Sequence, residues 1–152
     1  MRYLYHARSG LSLIELSVGI GIFILLGFIA LPYLQSSNLH TKLNGDAEAL
    51  ASDLRLAGQR TVGEQVTYLI KLFNNAPQKY QLIKRQDGVD TLIEERPLSS
   101  GISWQNLGDF TNNEIIFTTT SAALEEGTIT LVSTDNRTTS VEIKPSGYVR
   151  TY

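Results

Sequence analysis

The chain has 152 residues, which suits one compact domain plus an appendage rather than two full domains. It contains no cysteine, which excludes a disulfide framework, thiolate metal sites and cysteine nucleophiles. With 13 basic and 15 acidic residues the net charge is -2, a poor balance for a general polyanion binder.

The first ten residues, MRYLYHARSG, are polar and include Arg2, His6 and Arg8. Positive charge ahead of an apolar run favours retention of that end in the cytoplasm and export of the chain beyond the run. From Leu16 to Leu34 the sequence LSVGIGIFILLGFIALPYL holds 19 residues without a charge. That approaches the roughly 20 apolar residues that cross a bilayer as a helix. A soluble protein would need a larger body to cover a helix apolar on all sides. An ordinary secretory signal places its cleavage site after the apolar run, behind small residues, and LPYLQSSNLH offers no such site. Pro32 deletes one helix hydrogen bond and clashes with the carbonyl four residues back, so a kink is expected there. Gly19, Gly21 and Gly27 weaken the helix locally, and Ser17 with Gly21 forms a small-xxx-small pair open to a neighbouring helix.

Beyond Tyr33 the pattern turns amphipathic. Leu39, Leu43, Ala47, Leu50, Leu54 and Ala57 recur at steps of three or four, the spacing of one helical face. Lys42, Asp46, Glu48, Asp53 and Arg55 fall largely off that stripe. This predicts a helix continuing to about Thr61, with the stripe as the spine of a folded head. Alternation then predicts a strand at Val66–Phe73, a turn at Asn74–Pro77 and a returning strand at Tyr80–Arg85. Asp87-Gly88 marks a second turn before a strand at Thr91–Arg96, and Pro97–Gly101 reads as a loop. Later strands are predicted at Ile115–Thr118, Thr128–Val132, Ser140–Lys144 and Tyr148–Tyr152. The fold class is α+β, a long N-terminal helix packed on an antiparallel sheet.

Ser9-Gly10-Leu11-Ser12-Leu13-Ile14-Glu15 ahead of an apolar span resembles the leader of type IV prepilins. The resemblance implies cleavage between Gly10 and Leu11 by a prepilin peptidase of the inner membrane, which also N-methylates Leu11. Leu11 and Ser12 stand where the family usually has Phe and Thr. Loss of Arg2 and Arg8 with the leader leaves 11 basic and 15 acidic side chains, a charge of -4. A carboxylate within an apolar helix is costly unless paired or protonated. In pilin-like filaments the residue at the position of Glu15 meets the N-terminal ammonium of a neighbouring subunit. Residues 1–10 are then a leader, 11–34 a membrane-spanning and filament-core helix, 35–61 its amphipathic continuation and 62–152 a β-rich head.

The later segments Phe117–Gly127, Thr128–Val132 and Val141–Arg150, with its Gly147-Tyr-Val149-Arg150 ending, resemble the GspH/FimT family of minor pilins and pseudopilins. That resemblance implies a single-pass protein of the bacterial inner membrane, its head periplasmic or extracellular, drawn by an assembly platform into a secretion pseudopilus or type IV pilus. Its partners would be the peptidase, the lipid bilayer before assembly and other pilin or pseudopilin subunits.

Chemistry in the head is sparse. His6 leaves with the leader and His40 lies on the helix, so no His pair for a metal and no His-based triad is expected. Glu94-Glu95 and Glu125-Glu126 are adjacent, and neighbours on a strand point to opposite faces. Asp135-Asn136 reads as a hairpin turn, since the full oxygen-ligand spacing of a calcium loop is absent. Neither enzyme activity nor a cofactor is expected. The alternative reading is a DNA-binding minor pilin of a competence pilus. There Arg137, Lys144 and Arg150 would touch phosphate while Tyr148 and Tyr152 stack on bases. Asp135, Glu142 and the acidic mature chain weigh against it.

Overall fold

The computed structural model describes residues 12–152, leaving aside the side chains of 28–37. The chain divides between Ser37 and Asn38 into two compact units. Helix α1 (Leu13–Glu64) supplies the described part of the first unit and the start of the second. Among the described residues no helix is long and apolar enough to cross a membrane. The side chains left aside include the second part of the uncharged run Leu16–Leu34.

In the second unit the expected stripe is the buried face of α1. Leu43, Ala47, Leu50, Leu54 and Ala57 are at most 1% exposed, and Ala51 and Thr61 join them. The helix ends at Glu64, three residues past the expected Thr61, where Gln65 turns left-handed at φ 54. Thr61 fastens this end: its hydroxyl donates to the Ala57 carbonyl at 2.9 Å and accepts the Tyr68 N–H at 2.9 Å.

Eight strands complete the head: β1 (Thr67–Phe73), β2 (Lys79–Gln86), β3 (Val89–Pro97), β4 (Ile102–Asn106), β5 (Glu114–Ile116), β6 (Gly127–Ser133), β7 (Thr138–Ile143) and β8 (Val149–Thr151). They form two antiparallel four-stranded sheets, ordered β3-β2-β1-β5 and β4-β6-β7-β8, where the sequence suggests one. Strand β4 falls in a stretch for which the sequence pattern predicts no element; Ile102 and Trp104 alternate inward and bring it beside β6.

Both sheets turn an apolar face to α1. Tyr68, Ile70, Leu72, Tyr80 and Leu82 come from the first, and Ile129, Leu131, Val141, Ile143 and Val149 from the second. Trp104 ties the sheets together, its indole N–H donating to the Phe73 carbonyl at 3.1 Å and its backbone N–H to Gln78 at 2.7 Å.

Candidate functional site

At the start of α1, Ser12 is the N-cap: its hydroxyl accepts the Glu15 backbone N–H at 3.2 Å. Ser-x-x-Glu is the capping-box spacing, and a carboxylate in the first turn suits the positive end of the helix dipole. Ser12 and Glu15 therefore start the helix, a local role that sequence reasoning missed. Around Glu15 the surface is apolar, with Leu13 and Ile14 83% and 73% exposed. Gly10 and Leu11 lie outside the described residues, and the side chain of Pro32 lies among those left aside.

The C-terminal ending is clamped to the helix. Arg55 donates to the Val149 carbonyl at 3.0 Å and to Glu48 at 3.2 Å, while the Thr151 hydroxyl donates to Glu48 at 3.1 Å. Val149 is buried in the core. Gly147 sits at φ +77, where an added Cβ would lie 1.8 Å from the Ser121 carbonyl oxygen. Gly147 and Val149 therefore serve the packing of this ending, and Arg55 is the helix partner that sequence reasoning passed over.

Of the three candidate phosphate contacts, Arg137 stands apart, whereas Lys144 and Arg150 lie diagonally on one face at the β7–β8 end. Arg137 lies in the β6–β7 turn, ion-paired to Asp135 at 3.3 Å. Lys144 lies just past the far end of β7, about 20 Å away at about 3.3 Å per residue. Arg150 stands opposite Glu142 in the β7–β8 register, its guanidinium 6.0 Å from the Tyr152 ring centroid. A carboxylate thus accompanies Arg137 and another accompanies Arg150.

The adjacent carboxylates also separate. Glu94 meets Arg96 at 2.8 Å, whereas Glu95 accepts Lys79 at 2.9 Å on the other face. Glu125 accepts both the N–H and the hydroxyl of Thr111, at 2.7 and 2.6 Å. Asp135-Asn136 is the turn joining β6 to β7, with Asn136 left-handed at φ 63. Among the described residues no three His, Asp or Glu side chains are arranged to hold a metal ion.

Two helix carboxylates that fall off the stripe prove to be latches. Asp53, 5% exposed, accepts the Tyr80 hydroxyl at 2.8 Å and pairs with Arg96 at 3.2 Å. Burial, reinforced by that bond to Asp53, holds the Tyr80 hydroxyl protonated far above the usual phenol range. Asp46 accepts the N–H and hydroxyl of Ser99 at 2.8 and 2.9 Å, fixing the chain between β3 and β4.

Glu114 on β5 has a measurable consequence. Burial pushes its carboxyl up, but hydrogen bonds from Lys71 at 2.7 Å and Arg85 at 3.1 Å outweigh that and hold it below the ordinary 4.5. A depressed folded-state pKa contributes stability that is complete above the unfolded value and lost as pH falls through the folded one. The head should therefore melt at progressively lower temperature once pH drops below 4.5. Glu114→Gln should lower the melting temperature at neutral pH and flatten the acid loss; an unchanged acid slope in that variant would show that Glu114 does not contribute.

The sequence profile described as type II transport protein GspH matches residues 46–147. No curated protein matches the sequence. Among solved structures, the minor pseudopilin EpsH from the type 2 secretion system of Vibrio cholerae superposes with a TM-score of 0.62 at 10% identity. That match covers 73% of this chain and 96% of EpsH. The type IV minor pilin FimU of Pseudomonas aeruginosa superposes with a TM-score of 0.60 at 13% identity, over 80% of this chain and 92% of FimU. A second crystal form of FimU gives 0.56 at 12% identity, over 72% and 92%. At these identities the superpositions establish the fold, and the profile match establishes the family.

Proposed function

The chain belongs to the GspH family of type II transport proteins, structural minor pseudopilin and pilin subunits rather than enzymes, and from that premise we propose how it is made and assembled. It is synthesised as a precursor whose residues 1–10 are removed by a prepilin peptidase, leaving Leu11 as the N-methylated first residue. The uncharged run Leu16–Leu34 holds it in the bacterial inner membrane, N-terminus cytoplasmic and head on the far side. An assembly platform then draws residues 11–61 into the helical core of a type II secretion pseudopilus or type IV pilus, where Glu15 meets the amine of a neighbour. Pro32 loosens the stem so that it can adapt to both settings.

One observation carries this reading. The ten large apolar side chains from Leu13 to Leu26 are each more than half exposed and lie on all sides of α1. Such a surface requires an apolar partner outside the chain, first lipid and then the stems of other subunits. Filaments purified from a producing cell should contain the mature chain in small amount relative to the major subunit. Filaments free of a chain that is abundant in the membrane would overturn the reading.

A further inference from the structure

The face of the first sheet that points away from α1 carries a row of aliphatic residues set by the strand register. Leu92 opposes Ile83, Ile83 opposes Leu69, and Leu69 opposes Ile116. Past β5 the chain returns, and the Leu124 N–H donates to the Ile116 carbonyl at 2.9 Å, adding a fifth member. At about 4.8 Å between neighbouring strands the row is about 20 Å long. Its middle is closed: Leu69 and Ile83 are buried, and Arg85, donating to Glu114 at 3.1 Å, reaches from one flank of the row to the other. The β5 end is open. Leu124 is 64% exposed and, with Ile116, forms the apolar wall of a notch of about 210 Å³ rimmed by Arg85, Thr111, Glu114 and Glu125.

We propose that this notch receives one apolar side chain from the head of a different pilin-class subunit adjacent in the assembly, an inference that rests on the function proposed above. Size fits, because an apolar cavity of about 150 Å³ holds a benzene ring. Charge points to an uncharged knob, since every ionic group on the rim is engaged within the chain. Arg85 pairs with Asp90 and Glu114, Glu114 with Lys71, and Glu125 with Thr111. Area argues against a free-standing dimer, which needs roughly 800 Å² per partner, far more than one notch provides. A contact this small is useful only where the stem already holds the two heads together at high effective concentration. A minor subunit is outnumbered in its assembly, so the head beside it belongs to another chain.

The absence of native cysteine makes the test clean. Full-length chain carrying Leu124→Cys, or Thr138→Cys on the second sheet as a control, is labelled with a thiol-linked photo-cross-linker in membranes of cells assembling the filament. The expected product from Leu124→Cys is a one-to-one adduct with a second protein that has its own prepilin-type leader motif, about tenfold more abundant than from Thr138→Cys, the contrast of an anchor with a peripheral position. A homodimeric adduct, or equal yields from both positions, would overturn the proposal. In parallel, Leu124→Glu should lower incorporation about tenfold, as loss of a central apolar anchor does, without changing head melting or leader removal. Full incorporation of Leu124→Glu would sink the notch alone, whereas failure of the unmodified chain to be processed and incorporated would sink the assembly reading on which it rests.

Discussion

Glu15→Val should leave leader removal intact and cut incorporation into filaments by about two to three and a half orders of magnitude. The estimate comes from stranding one member of a desolvated ion pair, which costs about 3–5 kcal/mol, with each 1.4 kcal/mol worth about tenfold. In the assembled stem the new amine of Leu11 and the carboxylate of Glu15 on a neighbour would each lack another partner in apolar surroundings. The substitution keeps the Ser12 cap, which holds the backbone N–H of residue 15, and gives up only the carboxylate at the positive end of the helix, about 0.3–1 kcal/mol. Valine itself costs only about 0.5 kcal/mol in helix propensity. Intact mass reports cleavage and the filament fraction reports incorporation, so the two effects separate in one preparation. Normal incorporation of the cleaved variant would refute the pairing role.

Gly147→Ala should destabilise the head by about 3 kcal/mol or more, combining left-handed strain with an overpacked contact. The residue holds φ +77, and the added methyl would sit 1.8 Å from the Ser121 carbonyl oxygen. Relief requires moving backbone on both sides: Ser121 is itself left-handed at φ 65 and donates its N–H to Thr118 at 2.8 Å. The Lys144–Gly147 turn presents β8 to the Arg55 clamp, so strain there loosens the C-terminal strand first. Thermal unfolding of the detergent-solubilised chain should show a fall of more than about 10 °C. Gly45→Ala is the control, since a Cβ there meets nothing within 4 Å and alanine favours a helix interior. Equal melting of Gly147→Ala and the parent chain would contradict the turn geometry described.

The residues that are legible in the sequence are those whose role depends on near neighbours. The apolar stripe of α1 recurs every three or four residues, and every member from Leu43 to Ala57 is buried. Hairpins such as β1–β2 and β6–β7 announce themselves through turn residues between alternating runs. The features that escape a sequence reading depend on distant pairing. The division into two sheets arises from β1 beside β5 and β4 beside β6, partners separated by long stretches of chain. Asp53 reads only as a residue off the apolar stripe, because its partners, Tyr80 and Arg96, lie on other elements. The outer row leaves a faint signal: Tyr68, Leu69 and Ile70 are buried in succession, which a strand with one solvated face does not require. For the helix start, the capping spacing of Ser12 and Glu15 is present but overshadowed by the leader resemblance.

The most direct test of the central claim is the intact mass and N-terminal residue of the chain made with and without a prepilin peptidase. The expected result is a peptidase-dependent loss of residues 1–10 and a methyl group on the amine of Leu11. An N-terminus that stays uncut in both samples would contradict it, leaving the Leu11 nitrogen locked in a peptide bond and no processed stem to assemble.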